Sequence, residues 1–199
     1  GVARMHGSGG GTVNAKPNQV AGPDQAGLAD GGSVMARSTV DAETRRNVEE
    51  FLYYQADLLD AKRWAEYVAL FAAGGVYWMP ARPEQTTWQG VPSIFAEDIN
   101  LMNIRVKRLG HPRAWSQQVE WATSHVVTNV RVGALDAGGV LIARSSFLLT
   151  EVRGDHQRHF AGRYAHELRR KGDAFEILLQ RVDLLSAQIP FDYVIQAWV

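Results

Sequence analysis

The 199-residue sequence contains no cysteine. Disulfides, Cys-ligated zinc, iron–sulfur ligation and thiol catalysis are therefore excluded within it. A reducing cytoplasm is the expected compartment. Charge of one sign is also missing in excess: 21 Lys and Arg balance 21 Asp and Glu. A neutral chain has no broad attraction for nucleic acid or for an anionic membrane. No apolar run approaches the ~20 residues that span a bilayer. The first residues lack the basic-then-apolar pattern of a secretory signal.

What is present reads as an ordinary soluble domain, 46% hydrophobic and 21% charged. Residues 1–38 stand apart. Gly7 to Gly11 is nearly all glycine, and large apolar residues are almost missing up to Ser33. Such a segment buries too little surface to offset its ordering entropy, so it is expected to be disordered. A native tail, an upstream extension and an expression remnant all fit it, and Met35 offers a natural start. Residues 39–199 are expected to form a single α+β domain.

Ser38–Asp41 offers N-cap oxygens. From there Val48, Phe51, Leu52, Gln55, Leu58 and Leu59 follow helical spacing, and the helix should end near Asp60–Lys62. A second helix is expected to carry Trp64, Tyr67, Val68 and Phe71 and to stop at Gly74-Gly75. Val76–Met79 reads as a strand stopped by Pro80, and residues 83–95 read as loop. A third helix is predicted from about Glu97 to Leu109, stopped by Gly110-His111-Pro112. After Ala122 the period changes to two. His125–Val132, Val140–Val152, Gln157–Arg169 and Phe175–Leu185 are separated by Asp136–Gly139, Arg153-Gly-Asp155 and Lys171-Gly-Asp173. They should pair as consecutive antiparallel hairpins. Long antiparallel strands curl, and helices gathered early can fill the concave side. The expected architecture is a strongly curved antiparallel sheet wrapped around the N-terminal helices.

Several blocks of this sequence resemble the small (β) subunit of aromatic-ring-hydroxylating dioxygenases. They are Phe51-Leu52-Tyr53 with Asp57-Leu-Leu-Asp60 and Trp64, Val76-Tyr-Trp-Met-Pro80 with Arg82-Pro83, and Arg105-Val106 with Arg108-Leu109. His125-Val-Val with Asn129-Val130, Arg144-Ser145-Ser146-Phe147, Gly162-Arg163-Tyr164, Leu168-Arg169 and Arg181-Val-Asp-Leu-Leu185 follow in family order. The resemblance covers about residues 45–199. It implies the cystatin-like cone shared with nuclear transport factor 2 and ketosteroid isomerase. It also implies a non-catalytic subunit in a complex of three α and three β chains. In that complex the α chains carry a Rieske [2Fe-2S] cluster and a mononuclear Fe(II). They cis-dihydroxylate an aromatic compound with O2 and NAD(P)H-derived electrons, relayed by a ferredoxin and a reductase. Trp121-Ala-Thr-Ser124 departs from the Ser-Arg-Thr-Arg run many relatives carry, and the Glu84–Ser93 loop looks individual to a subgroup.

The side chains leave four narrower readings. A Rieske site needs two Cys and two His, and a mononuclear oxygenase iron needs two His and a carboxylate facing one cavity. The six His include the H-x-x-H of His156 and His159, but i and i+3 on a strand face opposite ways. No metal, cofactor or catalytic residue is expected in this chain. The alternative is a stand-alone dehydratase or isomerase. In it Asp57 and His125 form an acid–base pair in the cone and Tyr53, one turn before Asp57, donates to an oxyanion. The bland reading has Asp57 capping or pairing with a sheet arginine and His125 as a satisfied polar residue. The sheet arginines Arg144, Arg153, Arg158, Arg163, Arg169, Arg170 and Arg181 are interleaved with acids, which favours cross-strand ion pairs over nucleic acid. The apolar run Ile189–Val199 either closes the core or packs on a neighbouring subunit, and the subunit contact is the expectation.

Overall fold

A computed structural model describes residues 40–111, 119–134, 139–191, 195 and 198–199. The expected disordered segment 1–38 lies outside the described residues, as does most of the Asp136–Gly139 turn.

Helix α1 spans Ala42–Asp60. Asp41 caps it, its carboxylate accepting from the Thr44 N–H at 2.7 Å and from the Thr44 hydroxyl at 2.8 Å. Val48, Phe51, Leu52, Gln55, Leu58 and Leu59 form its buried face, matching the sequence spacing. Its end is a left-handed residue, Lys62 at φ 56, and the Arg63 N–H reaches back to the Leu58 carbonyl at 2.8 Å. Helix α2 spans Trp64–Ala69. It is shorter than expected, because the Leu70 carbonyl accepts from the Ile177 N–H at 2.8 Å and draws the chain into the sheet.

Strand β1 consequently runs Phe71–Pro80. Phe71 and Gly74-Gly75 belong to it, correcting the predicted helix stop. The glycine pair serves a bulge, since register shifts between Phe71 and Val76 against the partner strand. A Cβ on Gly75 would sit 2.5 Å from the Ile177 carbonyl oxygen, so only glycine permits this approach. Strand β2, Ser93–Asp98, lies where loop and the start of helix were predicted. Helix α3 follows at Ile99–Leu109, with Asp98 as N-cap accepting from the Leu101 N–H at 2.9 Å. Strands β3 (Trp121–Ala134), β4 (Val140–Arg153), β5 (His156–Lys171) and β6 (Ala174–Leu184) complete the chain. They form the expected antiparallel hairpin series.

The six-stranded sheet has the order β2-β1-β6-β5-β4-β3. β1 pairs antiparallel with β2 but parallel with β6, so the sheet is mixed. The parallel pair follows from connectivity: β1 enters the sheet before the hairpin series and the last strand of that series closes on it. This is the nuclear transport factor 2-like cone. The helices cover the concave face, and the core there is dominated by Phe51, Leu58, Tyr67, Tyr77, Phe147, Phe160, Tyr164 and Ile177. A second, small apolar cluster of Val76, Trp78 and Leu179 lies apart from it, with Trp88 and Ala96 packed on it.

The strap carrying Trp88 is pinned by Arg181. Its guanidinium donates to the carbonyls of Pro83 (2.8 Å) and Gln85 (2.5 Å) and to Asp183 (2.7 Å), and lies 4.6 Å over the Trp78 ring. Of the C-terminal run, Ile195, Trp198 and Val199 are buried in the chain's own core. Trp198 packs at a tilt against the Tyr67 and Trp64 rings, 5.2 and 5.8 Å between centres, and donates to Glu97 at 3.1 Å. No helix among the described residues is long and apolar enough to cross a membrane.

Candidate functional site

His125 lies on β3, where the side chains of Thr123, His125 and Val127 turn inward and those of Ala122, Ser124, Val126 and Thr128 turn outward. Inward placement brings His125 under the end of α1. The acid it meets is Asp60, not Asp57. His125 Nδ1 and Asp60 Oδ1 are 2.6 Å apart. The His125 backbone N–H donates to Asp60 Oδ2 at 2.8 Å, and the Thr123 hydroxyl donates to Oδ1 at 2.9 Å. Three donors from one strand converge on one carboxylate. The His125 side chain is 1% exposed and that of Asp60 28%.

The charge state of Asp60 follows from two opposed effects. Partial burial pushes its carboxyl up, but the hydrogen bonds from His125 and Thr123 outweigh burial and hold it below the usual carboxylate value. An ionised Asp60 accepts only, so the proton between the pair sits on His125 Nδ1. His125 Nε2 is buried and has no hydrogen-bond partner among the described residues.

Tyr53 and Asp57, the other members of the predicted acid–base group, do not join it. Both are exposed on the outer side of α1, Tyr53 by 41%. Helical phase explains this. Asp57 stands two residues from Gln55 and from Leu59, both buried, and at roughly 100° per residue that turns it to the opposite side. Asp60 is off the apolar face too, but it occupies the last turn, where the helix end meets β3.

Further along the concave face is a second buried histidine. His166 on β5 is fully buried, and both its ring nitrogens lack partners. Burial pushes its pKa down to about 3, so it is neutral in the folded chain. Its ring meets Tyr164 edge-on at 5.5 Å. Opposite it on β6 stands Gln180, whose Oε1 accepts from Gln55 Nε2 at 2.5 Å and from the Tyr67 hydroxyl at 2.9 Å. That one amide ties α1 and α2 to the sheet. Burial raises the Tyr67, Tyr77 and Tyr164 hydroxyls well above the ordinary tyrosine value, keeping all three neutral.

A third polar group closes the far side. Arg105 on α3 grips Glu97 through Nε at 3.0 Å and Nη2 at 2.6 Å, and its guanidinium lies 4.0 Å from the Phe95 ring centre. Asp60, Gln55, Gln180, Glu97 and His166 carried no role in the sequence reading. Asp60 meets His125 65 residues away and Gln55 meets Gln180 125 residues away, which leaves no local spacing to find those pairs by.

His156 and His159 do not converge. His156 lies 3.4 Å from Asp155, and His159 bonds Thr150 and Gln157. Among the described residues no three of His, Cys, Asp and Glu are grouped to hold a metal. The residues present do not fit an iron–sulfur cluster, which needs cysteines the sequence lacks. They do not fit a mononuclear iron either, because the Asp60–His125 pair has no second histidine beside it. Arg158 and Arg169 form cross-strand ion pairs, with Glu151 at 2.7 Å and Glu176 at 2.6 Å, each directly opposite its partner, whereas Arg181 pairs within its own strand with Asp183 at 2.7 Å.

The profile of the family described as "Ring hydroxylating beta subunit" matches residues 54–190. The beta subunit of benzene 1,2-dioxygenase from Pseudomonas putida is 31% identical over 150 residues, covering 70% of this chain and 80% of that protein. The crystal structure of the beta subunit of benzoate 1,2-dioxygenase from Burkholderia mallei superposes with a TM-score of 0.62 at 25% identity, covering 79% of this chain and 99% of the other. Naphthalene 1,2-dioxygenase with indole bound shares the fold, with a TM-score of 0.66 at 16% identity over 80% of this chain and 88% of the other. The order and spacing of the sequence blocks, the cone and the profile match agree: the chain belongs to the ring-hydroxylating dioxygenase beta-subunit family.

Proposed function

We propose that the chain is the small subunit of a terminal ring-hydroxylating dioxygenase and supports assembly of larger, iron-bearing α subunits, with three of each in the complex. The oxygen chemistry belongs to the α subunits. They hold the Rieske cluster and the Fe(II) and cis-dihydroxylate an aromatic compound, using electrons from NAD(P)H that arrive through a ferredoxin and a reductase. The complex is cytoplasmic. The observation that carries this reading is the family match across residues 54–190. It is supported by a sequence without cysteine and by a concave side filled with packed side chains. It is supported too by the lack of any grouped metal-ligand set among the described residues.

The test is recovery of the tagged chain from its native cell. A larger, cysteine-containing iron protein should co-purify in equal amount, and the mixture should show the absorption of a Rieske cluster. Recovery of the chain alone, at native expression and low salt, would overturn the reading.

A further inference from the structure

The edge of a sheet is a row of unpaired N–H and C=O groups, ready to pair with another chain. This sheet ends in β2 on one side and β3 on the other, and the two edges differ. β2 is six residues long, a short template. β3 runs for 14 residues. It pairs with β4 residue by residue from Trp121 to Thr128, so alternate backbone groups face away from the sheet. His125 fixes which ones. Its N–H points to Asp60 Oδ2 rather than to β4, so the outward groups are those of Trp121, Thr123, His125 and Val127.

Two side chains from the end of α1 occupy these outward groups. Asp60 takes the His125 N–H at 2.8 Å, and Lys62 donates its ammonium to the Trp121 carbonyl. One tie would hold the helix end to the strand; here there are two, both on the open side of the edge. Lys62 is at φ 56, a turn position that glycine fills without strain. A lysine there brings an ammonium, which also lies 4.2 Å over the Trp121 ring. Further along, Asn129 is left-handed as well, and register against β4 shifts between Thr128 and Arg131. Such a bulge twists an edge away from flat pairing. Past it, Arg131 Nη1 donates to the Val130 carbonyl at 3.1 Å. The stretch between these devices is apolar on its outer face. Val126 is 52% exposed, and Leu148, directly opposite on β4, 46%. A long edge with exposed apolar side chains is a site of association between chains.

We propose that Asp60 and Lys62 are an edge guard, which keeps the outward side of β3 from pairing with β3 of a second copy of this chain. Without the guard, two β3 strands join antiparallel about a twofold at His125, with Thr123 opposite Val127 of the other copy. A strand paired antiparallel with itself is self-complementary. Val126 and Leu148 of both copies then lie on one face of the joined sheet and add apolar area to the backbone hydrogen bonds. The guard acts at the edge alone and does not depend on the large-subunit reading.

Two measurements on the full chain test this. In amide hydrogen exchange of the unaltered protein, the His125 N–H should exchange about 10-fold or more slower than the N–H groups of Thr123 and Val127, which are equally turned outward. Equal rates at the three positions overturn the guard, whether all are fast or all protected by an edge already occupied. In sedimentation, Asp60→Ala combined with Lys62→Ala should give a concentration-dependent species of at least twice the unaltered mass. Adding Thr123→Pro, which removes an outward N–H that the pairing uses, should restore the unaltered mass. Gln180→Leu, which loosens the core but leaves the guard in place, should not associate. No association in the double variant overturns the proposal. So does association that survives Thr123→Pro or that appears in Gln180→Leu. If the double variant does not fold, the exchange rate at His125 decides alone. Neither measurement involves a large subunit, so a failure here leaves the assembly reading standing.

Discussion

Two histidines lie on the concave face of one sheet and are held in opposite ways. His125 is oriented by a carboxylate that also binds its backbone and its neighbour Thr123. His166 has no hydrogen-bond partner among the described residues and is kept neutral by burial alone. The polar work beside His166 is done instead by Gln180, which accepts from Gln55 and Tyr67. The middle of the concave face is thus tied by a neutral amide network, and its end by a charged one. The difference is one of anchoring: a neutral, enclosed imidazole fills space, whereas one gripped by a carboxylate also ties the end of α1 to β3.

The comparison breaks first, and most strongly, at Gln180. Gln180→Leu should leave the Gln55 amide and the Tyr67 hydroxyl without their shared acceptor and destabilise the chain by about 3 kcal/mol, read from urea unfolding. Replacing Gln55 by Leu as well should return part of that loss, since one stranded donor is then gone.

Asp60→Ala comes next. Losing the acceptor for three donors on β3 should cost about 2 kcal/mol. The loss should depend on pH in a definite direction. The folded carboxyl is held below its ordinary value of 3.8. The stability Asp60 contributes is therefore present above that value and disappears as pH falls through the folded pKa. Wild type and Asp60→Ala should converge in stability on acidification. A gap that persists well below pH 3.8 would contradict the charged-pair assignment.

His166→Phe should be nearly neutral at pH 7, within about 1 kcal/mol, because no hydrogen bond is lost and an unmatched polar ring leaves the core. Its larger effect lies in acid. The folded pKa is about 3 against an ordinary 6.5, so the unfolded chain binds a proton that the folded chain refuses. Stability is complete above pH 6.5 and falls as pH drops from there toward 3, by at most ~1.4 kcal/mol per unit. The phenylalanine variant should lose that part of the slope.

The smallest effects are expected on the outer side of α1. Tyr53→Ala and Asp57→Ala should each change stability by less than about 0.5 kcal/mol, read from urea unfolding. A larger loss in either would give these side chains a structural role on the outer side of α1.

Much of this architecture was legible from local pattern. The α1 apolar face, the caps near Asp41 and the hairpin series from β3 to β6 all rest on spacing within about ten residues, and the structure places them as read. What failed was set by distant partners. Phe71 continues the apolar spacing of α2, but the Ile177 N–H captures Leu70 and starts the strand early. Gly74-Gly75 looks like a helix stop, yet it is the bulge that lets β1 lie against the Ile177 carbonyl. β2 is short and its residues are only half-buried, which gives it a weak alternating signal. His125 was identifiable as an inward histidine, and its partner was misassigned by three residues. The phase of Asp57 opposite Gln55 and Leu59 was the available signal, and it points away from the cone.

The most direct measurement is a pH titration of the histidine ring-nitrogen resonances in the folded, nitrogen-15-labelled chain. His125 should show a protonated Nδ1 in a strong hydrogen bond, and Asp60→Asn should weaken that bond. His166 should stay neutral until the pH approaches about 3. A His125 whose Nδ1 lacks a proton, or a His166 that titrates near 6.5 like a solvated ring, would contradict the division of the concave face into an anchored imidazole and a packed one.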